Sequence, residues 1–303
     1  MIRLGTRGSA LALAQSGTVA DAVRALGHEV ELVEIVTPGD RSAAPVAQLG
    51  VGVFVSALRD ALLAKEIDFA VHSFKDLPTA PADGLHIAAV PGRADARDAL
   101  VARDGLGLAE LGPGARIGTG AVRRIAQLNA LGRGLVPVPI RGNVDTRLRK
   151  VADGELDAVV LARAGIDRLG RGAEITETLD PLLMLPAPAQ GALAVECRTD
   201  DDELLALLAK LDEPFTRAAV TAERILLAEL EAGCSAPVGA LAEVAEGDDG
   251  PEIYLRGAVF SPDGSQTIRL SRTGTLADPA EVGRALARDL RDEGADQVMG
   301  ESQ

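Results

Sequence analysis

DFAVHSFKDLPT, residues 68–79, carries the reading of the fold. The largely apolar run Phe69 to Ser73 predicts a buried strand. A cation and an anion, Lys75 and Asp76, follow it directly, and Pro78 stops further regular structure. A charged pair at the carboxyl end of a buried strand lies where open α/β sheets place their ligand crevice. The chain holds 27 Arg but only four Lys (Lys65, Lys75, Lys150, Lys210), so a Lys here points to a compact ammonium rather than a guanidinium fork. Taken alone, the segment supports two readings, a solvated loop ion pair and a functional pair.

Upstream of this segment, residues 2–6 predict a strand and Gly5-Thr6-Arg7-Gly8 a turn. Ser9 then caps a helix running to about Leu26. Glu29–Val36 alternates as a strand, Phe54–Lys65 is helical, and Ile67–His72 and His86–Val90 are strands, the β-α-β-α-β pattern of a parallel sheet covered by helices. From Arg116 the pattern returns: a strand in RIGTG, a helix over Val122–Leu131, a strand over Leu135–Ile140, a helix over Val144–Val151 and a strand over Asp157–Ala162. LGTRGSALALAQ pairs with IGTGAVRRIAQL, and EIDFAVHS with ELDAVVLA, so two similar α/β domains with equivalent loops facing a shared cleft is the simplest architecture. PAPAQGALAVECR, residues 186–198, predicts a Pro-rich crossing and a strand that returns to the first sheet. Pro214 opens a helix to about Ala232. Strands over 238–245, 252–260 and 266–274, a Pro262-Asp263-Gly264 hairpin turn and a helix near 278–293 then make a small α+β domain. The expected domains are 1–92 plus 190–212, 97–186, and 214–303.

Composition narrows the function. The 303 residues carry a net charge of −14 and only 2% aromatics with no Trp, which disfavours polyanion binding and base stacking. Any anionic ligand must be held by locally concentrated Arg. The N-terminal stretch does not read as a signal peptide, and no stretch approaches a membrane span. Cys197 and Cys234 make no disulfide framework, and His28, His72 and His86 offer no metal-ligand spacing, so a reducing cytoplasm and no metal are expected.

The arginines gather at loop and helix-start positions. Arg7 follows the first strand, Arg123 and Arg124 open the helix after GTG, and Arg141, Arg147 and Arg149 surround the turn of IRGNVDTRLRK. Guanidinium forks at helix N-termini suit carboxylates or phosphates, and three such clusters at equivalent positions favour an anion-lined cleft over solvated helix faces. No Walker loop or dinucleotide fingerprint is present. Cys234, in EAGCSAPVGA just past a long helix, reads equally as an accessible reactive thiol and as a small buried apolar group. Cys197, ending an apolar strand, reads as core.

HSFKDLPT, GT-x-x-x-RR-x-x-QL, RGNVDTRL, LARAGIDRLG, PAPAQGALAVE and TAERILLAELEAGCSAPVGA, in that order, closely resemble the hydroxymethylbilane synthase (porphobilinogen deaminase) family across essentially the whole chain. The resemblance implies a transferase of tetrapyrrole biosynthesis that joins four porphobilinogen units head to tail with loss of ammonia. The product grows on a dipyrromethane cofactor bound by a thioether to Cys234. It makes Asp76 the catalytic carboxylate, facing the azafulvenium cation that deamination leaves. It places Ser73, Lys75, Thr119, Arg123, Arg124 and Gly142 with the cofactor, and Arg7, Ser9, Arg141, Arg147, Arg168 and Gln190 with the substrate, whose acetates and propionates account for the guanidinium wall. It also implies two doubly wound lobes resembling periplasmic binding proteins, a third domain carrying the thiol, and a cytoplasmic monomer that binds neither nucleic acid nor membrane. The competing reading from the fold alone is a non-catalytic bilobed anion-binding receptor, which leaves Cys234 without a role.

Three departures from the family pattern stand out. Gly120 and Ala121 replace two common Ser after GT, so carboxylate binding there must rest on backbone N–H groups and Thr119. The loop LGVGVF lacks the usual lysines, with Gln48 and Val51 in their places. The TRGD turn reads Thr37-Pro38-Gly39-Asp40.

Overall fold

The structure, a computed structural model, describes residues 1–36, 55–232, 236–247 and 250–300. The Thr37–Asp40 turn, the whole LGVGVF loop and Cys234 therefore lie outside the described residues. The chain divides into two compact units, Met1–Ala94 with Ala192–Arg217, and Asp95–Gly191 with Ala218–Gln303.

In the first unit, β1 (Ile2–Thr6) pairs in parallel with β2 (Val30–Glu34) and with β3 (Phe69–Ser73). The helix α1 (Ala10–Ala25) starts where expected: the Ser9 hydroxyl accepts the Ala12 N–H at 3.3 Å, which satisfies one of the donors a helix start leaves open. A second helix, α2 (Ser56–Leu63), covers the sheet through Leu58, Ala61 and Leu62. The strand β10 (Leu193–Arg198) returns to this sheet, as the crossing predicts, and lies between β3 and β4 (Leu85–Ala89). The sheet is not purely parallel, however, because β10 runs antiparallel to both neighbours. It enters from a long excursion through the second unit rather than from a helical crossover, so nothing imposes a parallel direction. Cys197 sits fully buried in β10, and burial pushes its thiol up to about 12, the inert core thiol its strand position predicts.

The second unit opens with a sheet of the same strand order. β6 (Arg116–Thr119) lies parallel to β7 (Val136–Pro139) and β8 (Ala158–Ala162), and β5 (Asp98–Ala102) runs antiparallel between β8 and β9 (Glu177–Thr178). The helices α3 (Val122–Ala130), α4 (Val144–Ala152) and α5 (Arg163–Arg168) follow β6, β7 and β8. The repeat in the sequence is a repeat of contacts. Arg3 and Asp68 exchange backbone bonds across β1 and β3, the Arg3 N–H donating to the Asp68 carboxylate at 2.7 Å and the Asp68 N–H to the Arg3 carbonyl at 2.9 Å. Arg116 and Asp157 do the same at 2.6 and 3.0 Å. In each case the guanidinium also reaches a carbonyl in the turn before the later strand, Lys65 or Gly154.

The remainder of this unit is an antiparallel meander, β11 (Val238–Gly247), β12 (Gly250–Phe260) and β13 (Thr267–Thr275), backed by α7 (Pro214–Glu229), α8 (Pro279–Asp292) and α9 (Ala295–Met299). The helix α6 (Asp202–Leu208) belongs to the first unit. The predicted hairpin turn forms, with Asp263 accepting the Ser265 N–H at 3.0 Å and Gly264 at φ +76, a conformation that glycine adopts without a Cβ penalty. The core behind the meander is Ala, Leu, Val and Ile, among them Ala222, Leu226, Leu255 and Leu286, as a chain nearly free of aromatics requires.

Candidate functional site

The expected residues of the first unit collect at one end of its sheet. Arg7 and Ser9 follow β1, and Ser73 ends β3, the strand beside β1 in register through Leu4 and Phe69, with Lys75 and Asp76 following it. After Ser73 the chain makes a single 3₁₀ turn, Phe74–Asp76, which closes at Leu77; the Phe74 N–H is held by the Ala192 carbonyl at 3.1 Å. Phe74 and Leu77 point into the core, while Lys75 is half-buried and Asp76 exposed. Burying the residues on either side thus presents the charged pair at the strand end. The buried Gln15 of α1 donates to the Ser73 hydroxyl at 2.8 Å, and Ser16 to Thr6 at 2.8 Å, which ties the helix to the ends of both strands. Gln15 has no place among the residues expected from the sequence, although its spacing from Ser9 along one helix was visible.

Thr119, Arg123, Arg124, Arg141, Gly142, Arg147, Arg168 and Gln190 all belong to the second unit. The structure divides them. Arg141, Gly142 and Arg147 follow β7, with the Arg147 guanidinium donating to the Gly142 carbonyl at 2.8 Å and Gly142 bent at φ +104. Burial lowers the pKa of Arg147, and the nearby charges of Arg124 and Arg141 lower it further. Arg147 is therefore near enough to both Arg124 and Arg141 to feel their repulsion. Such a set is relieved by a bound anion.

Arg123, Arg124 and Gln190 turn inward. Arg123 donates to Asp98 at 2.9 Å and to the Leu185 carbonyl. Arg124 donates to the other Asp98 oxygen at 2.8 Å and to the Val160 carbonyl at 3.0 Å. Both side chains are at least nine-tenths buried and Asp98 is fully so. Gln190 donates to Asp98 at 2.8 Å and to the Ala96 carbonyl at 2.8 Å. Burial would raise the Asp98 carboxyl, but Arg123 and Arg124 hold it well below the ordinary carboxylate range. These arginines are thus not open forks at a helix start, because an acid in the sheet interior occupies part of each fork. One atom is left over: Arg124 Nε is buried and has no hydrogen-bond partner among the described residues.

Thr119 is fully buried and its hydroxyl accepts the Ala121 N–H at 3.3 Å, so one of the backbone donors expected to replace the missing serines is engaged with Thr119. A Cβ at Gly120 would stand 2.7 Å from the Ile140 carbonyl oxygen, so glycine allows the turn after β6 to press against the end of β7. Arg168 donates to the Gly191 carbonyl at 2.7 Å, and burial lowers its pKa. The sequence reading passed over Asp98, the centre of this cluster. Its signal was an acid opening the otherwise apolar run DALVA.

Among the described residues no group of His, Cys, Asp and Glu could hold a metal, and no helix is long and apolar enough to cross a membrane.

Residues 2–206 match the family described as porphobilinogen deaminase, dipyromethane cofactor binding domain, and residues 217–292 match the porphobilinogen deaminase C-terminal domain. The chain is 62% identical to the porphobilinogen deaminase of Nocardia farcinica over 99% of this chain and 88% of that protein. It is 59% identical to that of Mycobacteroides abscessus over 99% of this chain and all of that protein, and 59% identical to that of Mycobacterium tuberculosis over 99% and 98%. Among solved structures, an ABC transporter periplasmic substrate-binding protein from Coxiella burnetii aligns with a TM-score of 0.45 and 14% identity, over 74% of this chain and 97% of that one. With both domain families matched and relatives near 60% identity along its whole length, the chain belongs to the porphobilinogen deaminase family.

Proposed function

We propose that the two lobes of this porphobilinogen deaminase divide its work, the second holding pyrrole carboxylates and the first carrying the chemistry. The carrying observation is Arg147, half-buried with its guanidinium Nε on the Gly142 carbonyl and feeling the charges of both Arg124 and Arg141, in a chain of net charge −14. A ligand with several carboxylates relieves that repulsion, and the buried, unpartnered Arg124 Nε offers one further donor. The second unit's donors suit the carboxylates of a dipyrromethane, and the family resemblance makes Ser73, Lys75, Thr119, Arg123, Arg124 and Gly142 its neighbours and Cys234 its thioether anchor. When bound, that group supplies the pyrrole end on which the product is extended. Arg7, Ser9, Arg141, Arg147, Arg168 and Gln190 serve the incoming porphobilinogen.

Asp76 is the catalytic carboxylate. Loss of ammonia leaves the substrate methylene cationic, and an exposed carboxylate at a strand end, fixed by the buried Phe74 and Leu77, stabilises that charge and accepts the pyrrole proton. The same reading keeps the domain division at 1–92 plus 190–212, 97–186 and 214–303, and makes the enzyme a cytoplasmic monomer. Intact mass tests the assignment. The purified protein is expected to exceed its sequence mass by one dipyrromethane, Cys234→Ser to lose the adduct and Cys197→Ser to keep it; an adduct retained in Cys234→Ser overturns the anchor.

A further inference from the structure

Glu223 has no part in the chemistry above, yet its side chain is fully buried in α7, the helix that precedes Cys234 in the chain. One carboxylate oxygen accepts the Ala242 N–H of β11 at 2.7 Å, and the other accepts the Ala189 N–H at 2.5 Å. Ala189 is itself unusual. It is a non-glycine residue at φ +60, a left-handed conformation that an L side chain adopts only when its surroundings hold it there. The turn it belongs to is closed by the Gln190 N–H on the Ala187 carbonyl at 3.0 Å, and the next side chain, Gln190, donates to Asp98. Asp98 in turn holds Arg123 and Arg124, one on each oxygen. Every one of these contacts lies inside the second unit.

We infer that Glu223 is a positioning residue for the guanidinium pair. Its carboxylate locks the Ala187–Gly191 turn in the left-handed bend, the bend aims the Gln190 amide at Asp98, and Asp98 so held sets the orientation of Arg123 and Arg124. The inference rests on the reading that this pair serves ligand carboxylates. It differs from a purely structural role for Glu223 because the effect travels through a backbone conformation that glycine can adopt unaided. It also gives the chain's departure from a plain apolar helix face a purpose: a buried carboxylate is costly unless backbone donors satisfy it, and here two do.

The test follows formation of the covalent pyrrole adduct by intact mass when cofactor-free full-length protein is mixed with porphobilinogen, alongside the thermal midpoint and, on loaded protein, KM and kcat. Glu223→Gln keeps the size but presents an amide N–H₂ to one of the two backbone donors. It is expected to slow loading about tenfold or more and to raise KM by a similar factor with kcat of the loaded fraction near the parent, as for loss of a charged hydrogen bond. Adding Ala189→Gly to Glu223→Gln should restore most of the loading rate, because glycine populates the bend without help. Gln190→Leu tests the same path without touching α7. It should slow loading as Glu223→Gln does, and the double variant should be no slower than the worse single one. Loading and KM at parent values in Gln190→Leu or in folded Glu223→Gln, or failure of Ala189→Gly to rescue, would overturn the proposal. Arg124→Lys separates the two layers: if it loads poorly while the Glu223 and Gln190 variants load normally, only the positioning role falls; if it loads normally, the reading of the guanidinium pair falls and takes this proposal with it.

Discussion

The two α/β lobes share strand order, reciprocal Arg–Asp backbone pairing at Arg3–Asp68 and Arg116–Asp157, and a helix directly after the first parallel strand, yet they bury charge in different places. In the first lobe the antiparallel strand faces Ser73 with Leu193; in the second the strand in the same place faces Ala162 with Asp98. Three residues further along β10 the first lobe has Glu196, opposite Ala70, where the second has Val101, opposite Val159. Glu196 takes a bidentate Arg59 from α2 and lies 3.2 Å from His72, and although burial works against it, the neighbouring His72 and Arg59 hold its carboxyl below the ordinary value. The first lobe therefore spends its buried acid in mid-sheet, away from the strand end, and leaves Asp76 exposed there. The second places its buried acid at the strand end, where it orients cations. On the proposed reading, one scaffold serves a carboxylate that must meet a transient cation and a cation cluster that must meet carboxylates.

The sharpest way to break that division is Asp76→Asn. The amide keeps the shape but cannot stabilise positive charge or accept a proton, so single-turnover extension on protein already carrying its cofactor should fall by about 10³-fold or more, with KM little changed. Extension near the parent rate would make the pair with Lys75 merely structural and erase the distinction between the lobes.

Next in size is Asp98→Leu, which gives the second lobe the residue of the first. It leaves two buried guanidiniums without their shared carboxylate, at a cost of about 3–5 kcal/mol in denaturant unfolding. The converse replacement, Leu193→Asp, buries an unpaired acid and should destabilise as well. Asp98 also predicts a pH signature. Its folded value is depressed, so the stability it contributes is fully present above the ordinary carboxylate range near pH 4 and is lost as pH falls below that toward the folded value. Asp98→Asn should flatten the acid limb below about pH 4, and an acid limb identical to the parent's would deny the pairing.

The half-buried and the buried arginines should then separate. Arg147→Lys loses a fork at a half-buried position, so KM is expected to rise by the equivalent of about 1.5–3 kcal/mol with the thermal midpoint near the parent. Arg124→Lys is expected to lower both binding and stability, because its fork also serves Asp98 and Val160. Equal loss of stability in the two variants would contradict the split between inward and outward cations.

Much of this was legible in the sequence, and the part that was not has a physical reason. Alternating and apolar runs located β1, β3, β6 and β8, the Ser9 cap marked α1, and the paired LGTRGS and IGTGAV segments announced two related lobes. Those signals are local. The direction of β10 is not, since a strand reads the same whichever way its neighbours run. The inward turn of Arg123 and Arg124 depends on Asp98, an acid remote in sequence that looks like a turn residue before an apolar run. The left-handed bend at Ala189 carries no signal in an alanine. For Cys234, motif resemblance spoke where local sequence left two readings level.

The smallest expected effect concerns the turn after the first strand of each lobe. The repeat aligns Arg7 with Gly120, and in both lobes the later strand closes on the same carbonyl, the Ile35 N–H donating to Thr6 at 2.8 Å and the Ile140 N–H to Thr119 at 3.2 Å. The first lobe accepts a long side chain at this point. The second does not, because a Cβ at Gly120 meets the Ile140 carbonyl oxygen at 2.7 Å. That contact is with backbone, so a larger residue must move the end of β7, which leads into Arg141 and Gly142. Gly120→Ser should therefore cost about 1 kcal/mol of stability and raise KM modestly, although serine is common at this place in the family. Ala121→Ser meets no such obstacle and should change KM by less than about 1 kcal/mol, the net worth of a neutral hydrogen bond. Thermal midpoints and KM for the two single variants decide the matter. If Gly120→Ser is as innocuous as Ala121→Ser, the close approach relaxes freely, and the two lobes do not differ in how tightly this turn is held.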